Sequence, residues 1–184
     1  MEVLADQRGF PVVGPLVGRF LYQLVKLTNS KHVFEFGSGF GYSAVWMAMA
    51  LPEDAKLICT DYDPDNVKMG IEFLKQAGLD QKVSFEVGNA LETFAKYDGP
   101  FDFIFCDFDK TLYSKAFELG MKKLKKGGIF AADNVLWSGW VADRHDHSSE
   151  TEAIRKFNEK IYNTECFFTT ICPLRDGVSI SLKI

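Results

Sequence analysis

The most constraining feature of this chain is a regular alternation of short apolar runs with longer amphipathic segments. The spacing predicts strands at His32–Phe36, Lys56–Asp61, Val83–Gly88, Phe101–Asp107, Gly128–Asp133, Phe167–Pro173 and Val178–Ile184. Between them it predicts helices near Ser43–Leu51, Asn66–Ala77, Ala90–Lys96, Tyr113–Lys123 and Ser149–Tyr162, with another at Gly14–Leu27 ahead of the first strand. A helix between successive strands is the connection that parallel pairing requires. The expected fold is therefore α/β, a mainly parallel sheet with helices on both faces. Nothing reads as a linker, a repeat or a low-complexity tract, and 184 residues suit one compact domain, expected over 1–184.

Several function classes are disfavoured at once. No run of about 18 apolar residues could span a bilayer, and the N-terminus "MEVLADQRGF" lacks the apolar core of a secretion signal, so a cytoplasmic protein with no membrane partner is expected. A net charge of −4 argues against a nucleic-acid surface. The one basic cluster, Lys122 to Lys126, is expected to be a solvated helix end ahead of Gly127-Gly128, where cations complement the helix dipole. Cys59, Cys106, Cys166 and Cys172 show no CxxC spacing and are expected to be buried thiols.

Ligands of such sheets bind beyond the carboxyl ends of the strands, so the strand ends carry the functional reading. The first ends in "FEFGSGFGYS", where Gly37, Gly39 and Gly41 permit a tight turn and close approach of a ligand, and Ser43 can cap the next helix. The spacing is GxGxG, with Tyr42 where a dinucleotide fingerprint carries its third glycine, which disfavours a nicotinamide oxidoreductase. Asp61 ends the second strand, where a carboxylate can accept from both hydroxyls of a ribose; the alternative is that it starts the next helix, as Asp63 does. Asn89 and Ala90 follow the third strand, at the rim where an adenine would lie. These ends outline a nucleoside pocket with no pyrophosphate site.

Chemistry is expected at the next two ends. "FDFIFCDFDK" brings Asp107, and "GGIFAADN" brings Asp133 and Asn134, two carboxylates and an amide oxygen suited to a hard divalent ion such as Mg²⁺. His145 and His147 lie in a polar stretch without a cysteine partner and are expected to be surface residues. Lys110, three residues past Asp107, can face a substrate; beside a cation in a water-poor site an ammonium gives up its proton more readily, as a general base requires. The alternative is a surface ion pair with Asp109.

Together, "FEFGSGFGYSAVWMA", "TDYDPDNV", "DFDK" with a following Tyr, "DNVLWSG" and "RDGVSISLKI" resemble the cation-dependent O-methyltransferases that use S-adenosylmethionine, the group of the catechol and caffeoyl-coenzyme A enzymes. The resemblance runs from about Phe10 to Ile184. It implies a Rossmann-like methyltransferase fold, seven-stranded, with the last strand antiparallel beside the sixth. It implies that Glu35 and Gly37 belong to the cofactor loop, Tyr42 and Ser43 lie beside the methionine moiety, Asp61 holds the ribose, Asn89 and Ala90 lie by the adenine, and Val13 covers the cofactor. Asp107, Asp133 and Asn134 match the metal ligands, with Asp107 also counted among the catalytic and cofactor-binding residues. Lys110 matches the catalytic base and Trp137 a wall of the substrate site.

The implied reaction is methyl transfer to one hydroxyl of a catechol-like diol, a small hydroxylated aromatic, with S-adenosylhomocysteine as product; a homodimer is also implied. Family members carry a longer segment ahead of the loop than the roughly 30 residues found before the first strand here. That difference predicts either a more open acceptor site or a trimmed N-terminus, and Ser138 to Asn158 are expected to border the acceptor. Two other readings stay open, a methyltransferase on a macromolecule or other acceptor and a non-catalytic nucleoside-binding protein, although the second would need none of the metal set.

Overall fold

The computed structural model describes residues 1–184. One sheet contains all seven strands: β1 (His32–Phe36), β2 (Lys56–Asp61), β3 (Val83–Val87), β4 (Phe101–Cys106), β5 (Leu124–Ala132), β6 (Phe167–Cys172) and β7 (Val178–Lys183). Their order is β3-β2-β1-β4-β5-β7-β6. Pairings among β1 to β5 are parallel, whereas β7 runs antiparallel to both of its neighbours, β5 and β6. The order changes direction between β1 and β4, so the topological switch point lies at their carboxyl ends.

The helices are α1 (Glu2–Arg8), α2 (Gly14–Leu27), α3 (Tyr42–Ala50), α4 (Pro64–Gln76), α5 (Ala90–Ala95), α6 (Tyr113–Lys123) and α7 (Ser149–Asn163). Period-two alternation along β4 assigns its side chains to two cores. Phe103 and Phe105 face α2 and α3 with Val17, Leu21 and Met47, while Ile104 faces the opposite layer with Phe94, Phe117, Phe130 and Phe157 from the α5, α6 and α7 side. Each such side chain contributes roughly 1.5–3 kcal/mol by leaving water. The one charge within β4, Asp102, accepts from the backbone N–H of Lys31 and His32 at 2.6 and 2.7 Å and pairs with Lys125 at 2.6 Å. That carboxylate ties the start of β1 to β4 and β5.

Some expectations change. The helix α1 was not legible, and β5 begins at Leu124 rather than Gly128. The lysine run is therefore not a helix end throughout: α6 stops at Lys123, and Lys125 and Lys126 lie in β5. Lys123 instead donates to the carbonyls of Phe94 and Ala95 at the end of α5, and to that of Tyr97. The positive φ of Gly127 and a register shift between Phe101 and Phe103 accommodate the early start of β5. All four cysteines are free; Cys59 and Cys106 are buried, but Cys172 is half-buried and Cys166 is exposed on the turn before β6. No helix is long and apolar enough to cross a membrane.

Candidate active site

At the carboxyl ends of β1 to β5 lies a cavity of about 830 Å³. Val13, Gly37, Tyr42, Ser43, Asp61, Asn89, Ala90, Asp107, Lys110, Asp133, Asn134 and Trp137 line it, whereas Glu35 and Gly41 do not. The strand ends bring them there in sequence. Asp107 N–H donates to the carbonyl of Phe36 at 2.9 Å and Asp133 N–H to that of Cys106 at 3.1 Å, so each loop leaves the sheet one residue past its strand.

The glycine loop is shaped by the protein before any ligand. At Gly37 (φ 79°) a Cβ would lie 2.5 Å from the carbonyl oxygen of Asp107, and at Gly39 (φ 50°) one would lie 2.8 Å from the Phe10 ring. The first glycine thus lets the end of β4 approach, and the second seats the segment that leads from α1 to α2. Ser43 does not cap α3, whose N-cap is Gly41; its hydroxyl donates to Glu35 beneath the loop. Glu35 is fully buried, with Cys59 Sγ 3.4 Å from its other oxygen, and burial pushes its carboxyl up to about 7. Tyr42, also inside, has its phenol pushed up to about 12 by burial and by its hydrogen bond to Glu2 on α1.

Asp61 does not cap α4; its carboxylate braces the glycine loop and the turn into that helix. One oxygen accepts from the Gly39 N–H at 3.0 Å; the other accepts from the Asp63 N–H at 2.9 Å and from Asn66 at 3.2 Å, while Asp63 itself caps α4. Asn89 lines the cavity and caps α5, its side-chain oxygen accepting from Leu91 and Glu92, which leaves its NH₂ without a protein partner. Val13 is buried at the start of α2 and lines the cavity.

Lys110 does not pair with Asp109, which caps the following turn through Thr111. Its Nζ donates instead to Asp107 Oδ1 at 2.8 Å and to the Tyr113 hydroxyl at 2.8 Å, and that hydroxyl donates to the Asp133 carbonyl at 3.1 Å. The Asp133 carboxyl is pushed up to about 7, first by burial and then by the charge of Asp107. Its Oδ1 is buried without a hydrogen-bond partner. No three His, Cys, Asp or Glu side chains gather into a metal cage of their own, and His145 and His147 are exposed.

Trp137 (φ 49°) lines the cavity, its ring centroid 6.0 Å from Lys110 Nζ. The stretch expected to border the acceptor, Ser138 to Asn158, contributes nothing: none of these residues lines the cavity. Arg155 gathers that stretch onto itself, donating to the carbonyls of Trp140, Val141, Asp143 and Asp146. Residues that sequence reasoning left without a role also converge here. Tyr113 was visible only as the Tyr following "DFDK"; Arg175 and Asp176, in the "RDG" that opens the last quoted stretch, arrive from the turn between β6 and β7, far away in sequence.

Comparison with known proteins places this geometry in a family. Residues 10–184 match the family model described as O-methyltransferase. The chain is 40% identical to caffeoyl-CoA O-methyltransferase 3 of Nicotiana tabacum, over 91% of this chain and 74% of that one. It is 34% identical to the catechol O-methyltransferase of Niastella koreensis, over 96% and 85% respectively. Among solved structures, the Bacillus cereus O-methyltransferase in complex with S-adenosylhomocysteine superposes with a TM-score of 0.91 at 26% identity, covering 98% of this chain and 87% of that one. TomG of Streptomyces achromogenes, in complex with S-adenosylmethionine, gives 0.90 at 25% identity, covering 97% and 85%. With the matching loop, strand ends and sheet order in place, this chain belongs to the O-methyltransferase family and is an S-adenosylmethionine-dependent O-methyltransferase.

Proposed function

We propose that this enzyme methylates one hydroxyl of a vicinal aromatic diol in a divalent-cation-dependent reaction. The observation that carries the reading is Asp133 Oδ1, a buried carboxylate oxygen with no partner, in the field of a second carboxylate, Asp107, at the neighbouring strand end. Leaving such an atom unpaired is costly, and two like charges held together add to the cost. Asp107, Asp133 and the Asn134 amide oxygen form a hard-oxygen set that fits Mg²⁺. When bound there, a divalent cation supplies Lewis acidity that lowers the pKa of a coordinated hydroxyl.

The chain's own residues account for the rest. Asp61 and the Asn89 amide hold the nucleoside end of the cofactor, Ala90 borders the adenine, and Gly37, Tyr42, Ser43 and Val13 enclose its methionine end, with Glu35 supporting the loop from below. Lys110, in its neutral form, takes the proton of the reacting hydroxyl at Nζ, which Asp107 and Tyr113 keep in place. The phenolate oxygen attacks the sulfonium methyl in line; the new O–C bond forms as the S–C bond breaks, and its electron pair returns to sulfur, leaving S-adenosylhomocysteine. Trp137 walls the acceptor ring, and the protein's contribution is mainly orientation and exclusion of water. The catechol and caffeoyl-CoA names of the relatives support a small aromatic acceptor.

The test is methyl transfer from S-adenosylmethionine to caffeate with Mg²⁺ and again with excess EDTA. Loss of activity in chelator and its return on adding Mg²⁺ is the expected result. Full activity in EDTA, or equal rates on catechol and phenol, would sink the reading.

A further inference from the structure

Asn134 stands in the left-handed region, φ 59°, directly after Asp133. Its Nδ2 lies 3.3 Å from Asp176 Oδ2. The other oxygen of Asp176 accepts from the Ser138 N–H. The main chain reinforces the contact, since Leu136 N–H donates to the Asp176 carbonyl at 2.8 Å and Val135 N–H to that of Gly177 at 3.1 Å. Gly177 (φ 83°) permits the approach, because a Cβ there would lie 2.4 Å from the Leu136 side chain. The turn between β6 and β7 is thus clamped onto the turn that follows β5.

The chemistry of the pair fixes the orientation of the amide. An ionised carboxylate only accepts, so the end of Asn134 that meets Asp176 must be its NH₂. The amide oxygen is then turned away from Asp176, and it has no hydrogen-bond partner in the protein. A free Asn side chain could present either end to the site; this one is restricted to the end that a hard cation accepts.

We infer that Asp176 is a positioning residue for the cation site, acting through Asn134 rather than by direct ligation. The inference rests on the cation reading above and adds to it a residue from outside the ligand set. Partners that orient metal ligands in this way typically change metal affinity by about 10–100-fold when removed.

The experiment is calorimetric titration of Mn²⁺ into the wild type, Asp176→Ala, Asn134→Ala and the double variant, with S-adenosylhomocysteine affinity measured on each as a check of the fold. Expected are a loss of Mn²⁺ affinity of roughly tenfold or more in Asp176→Ala, a loss in Asn134→Ala, and a double variant no weaker than Asn134→Ala, because a residue acting through another has nothing left to act on. Unchanged Mn²⁺ affinity in Asp176→Ala, or losses that multiply in the double variant, would overturn the inference. A wild type that binds no Mn²⁺ would overturn the cation reading itself, and this inference with it. If Asp176→Ala fails to bind S-adenosylhomocysteine, Asp176→Asn, which keeps the shape and one acceptor, takes its place under the same criteria.

Discussion

The Tyr113 hydroxyl accepts from Lys110 Nζ at 2.8 Å while donating to the Asp133 carbonyl at 3.1 Å, so one buried phenol links the loop after β4 to the loop after β5. The lysine is held from two sides, by Tyr113 and by Asp107. If Lys110 is the base, Lys110→Met lowers kcat by roughly 10²- to 10⁴-fold, the usual contribution of a positioned proton acceptor. Tyr113→Phe has a smaller effect on kcat and removes about 1 kcal/mol of stability, since the Asp133 carbonyl loses its donor. S-Adenosylhomocysteine affinity stays unchanged in Lys110→Met. Steady-state kinetics, urea denaturation and calorimetric binding check these outcomes.

Glu35 gives the enzyme a pH-dependent stability with a definite sign. Its carboxyl is pushed from an ordinary 4.5 to about 7 by burial. Below the lower value both folded and unfolded states hold the proton, and its stabilising contribution is complete. As pH rises from there through about 7 the unfolded chain ionises first, and the contribution falls away, by about 3 kcal/mol in all. Glu35→Gln cannot titrate. The stability of the wild type relative to Glu35→Gln is therefore expected to drop by that amount between pH 4.5 and 7.5 in urea denaturation, and a flat difference would refute the burial argument.

Gly37→Ala tests the packing of the glycine loop on β4. The residue sits at φ 79°, and its Cβ would lie 2.5 Å from the Asp107 carbonyl oxygen. Backbone strain and the clash together cost on the order of 2 kcal/mol. Since the clash pushes on the loop bearing Asp107, cofactor affinity and stability should fall together; thermal melting with and without S-adenosylhomocysteine measures both.

Arg155 is the organiser of the stretch after Trp137. Arg155→Ala leaves the carbonyls of Trp140, Val141, Asp143 and Asp146 without their shared donor. Local opening becomes easier, and tryptic cleavage after the exposed Arg144 is expected to quicken by about tenfold, equivalent to about 1.4 kcal/mol. Arg155→Lys should not restore resistance, because a single ammonium cannot span the four oxygens that the guanidinium reaches.

Most of the fold was legible because each strand's apolar run and each helix's amphipathic period agree with the final layers; Phe101 to Cys106 and Tyr113 to Lys123 fall where the pattern places them. The start of β5 was not legible, since "LKKGG" carries charge where a strand is expected. Of its lysines, Lys125 finds its partner only in three dimensions, on Asp102, as does the preceding Lys123 at the end of α6, on the carbonyls near the end of α5. The candidate site was readable from its strand ends, Asp61, Asp107, Asp133 and Asn134. What the sequence concealed were side-chain choices settled by neighbours: Ser43 turning to Glu35 instead of capping α3, Lys110 choosing Asp107 over Asp109, and Asp176 meeting Asn134 across 42 residues of chain.

The position of β7 between β5 and β6 has a consequence for how the molecule is made. On the ribosome, β1 to β5 can pair in the order in which they emerge, but β6 has no neighbour to pair with until β7 has followed it and slotted in against β5. The same hairpin turn carries Arg175 and Asp176 to the mouth of the cavity. A chain interrupted before Val178 would thus have its glycine loop and the carboxyl ends of β1 to β5, yet would lack the clamp on the turn after β5. Synthesis completes the glycine-loop side of the cavity first and the clamp on Asn134 last.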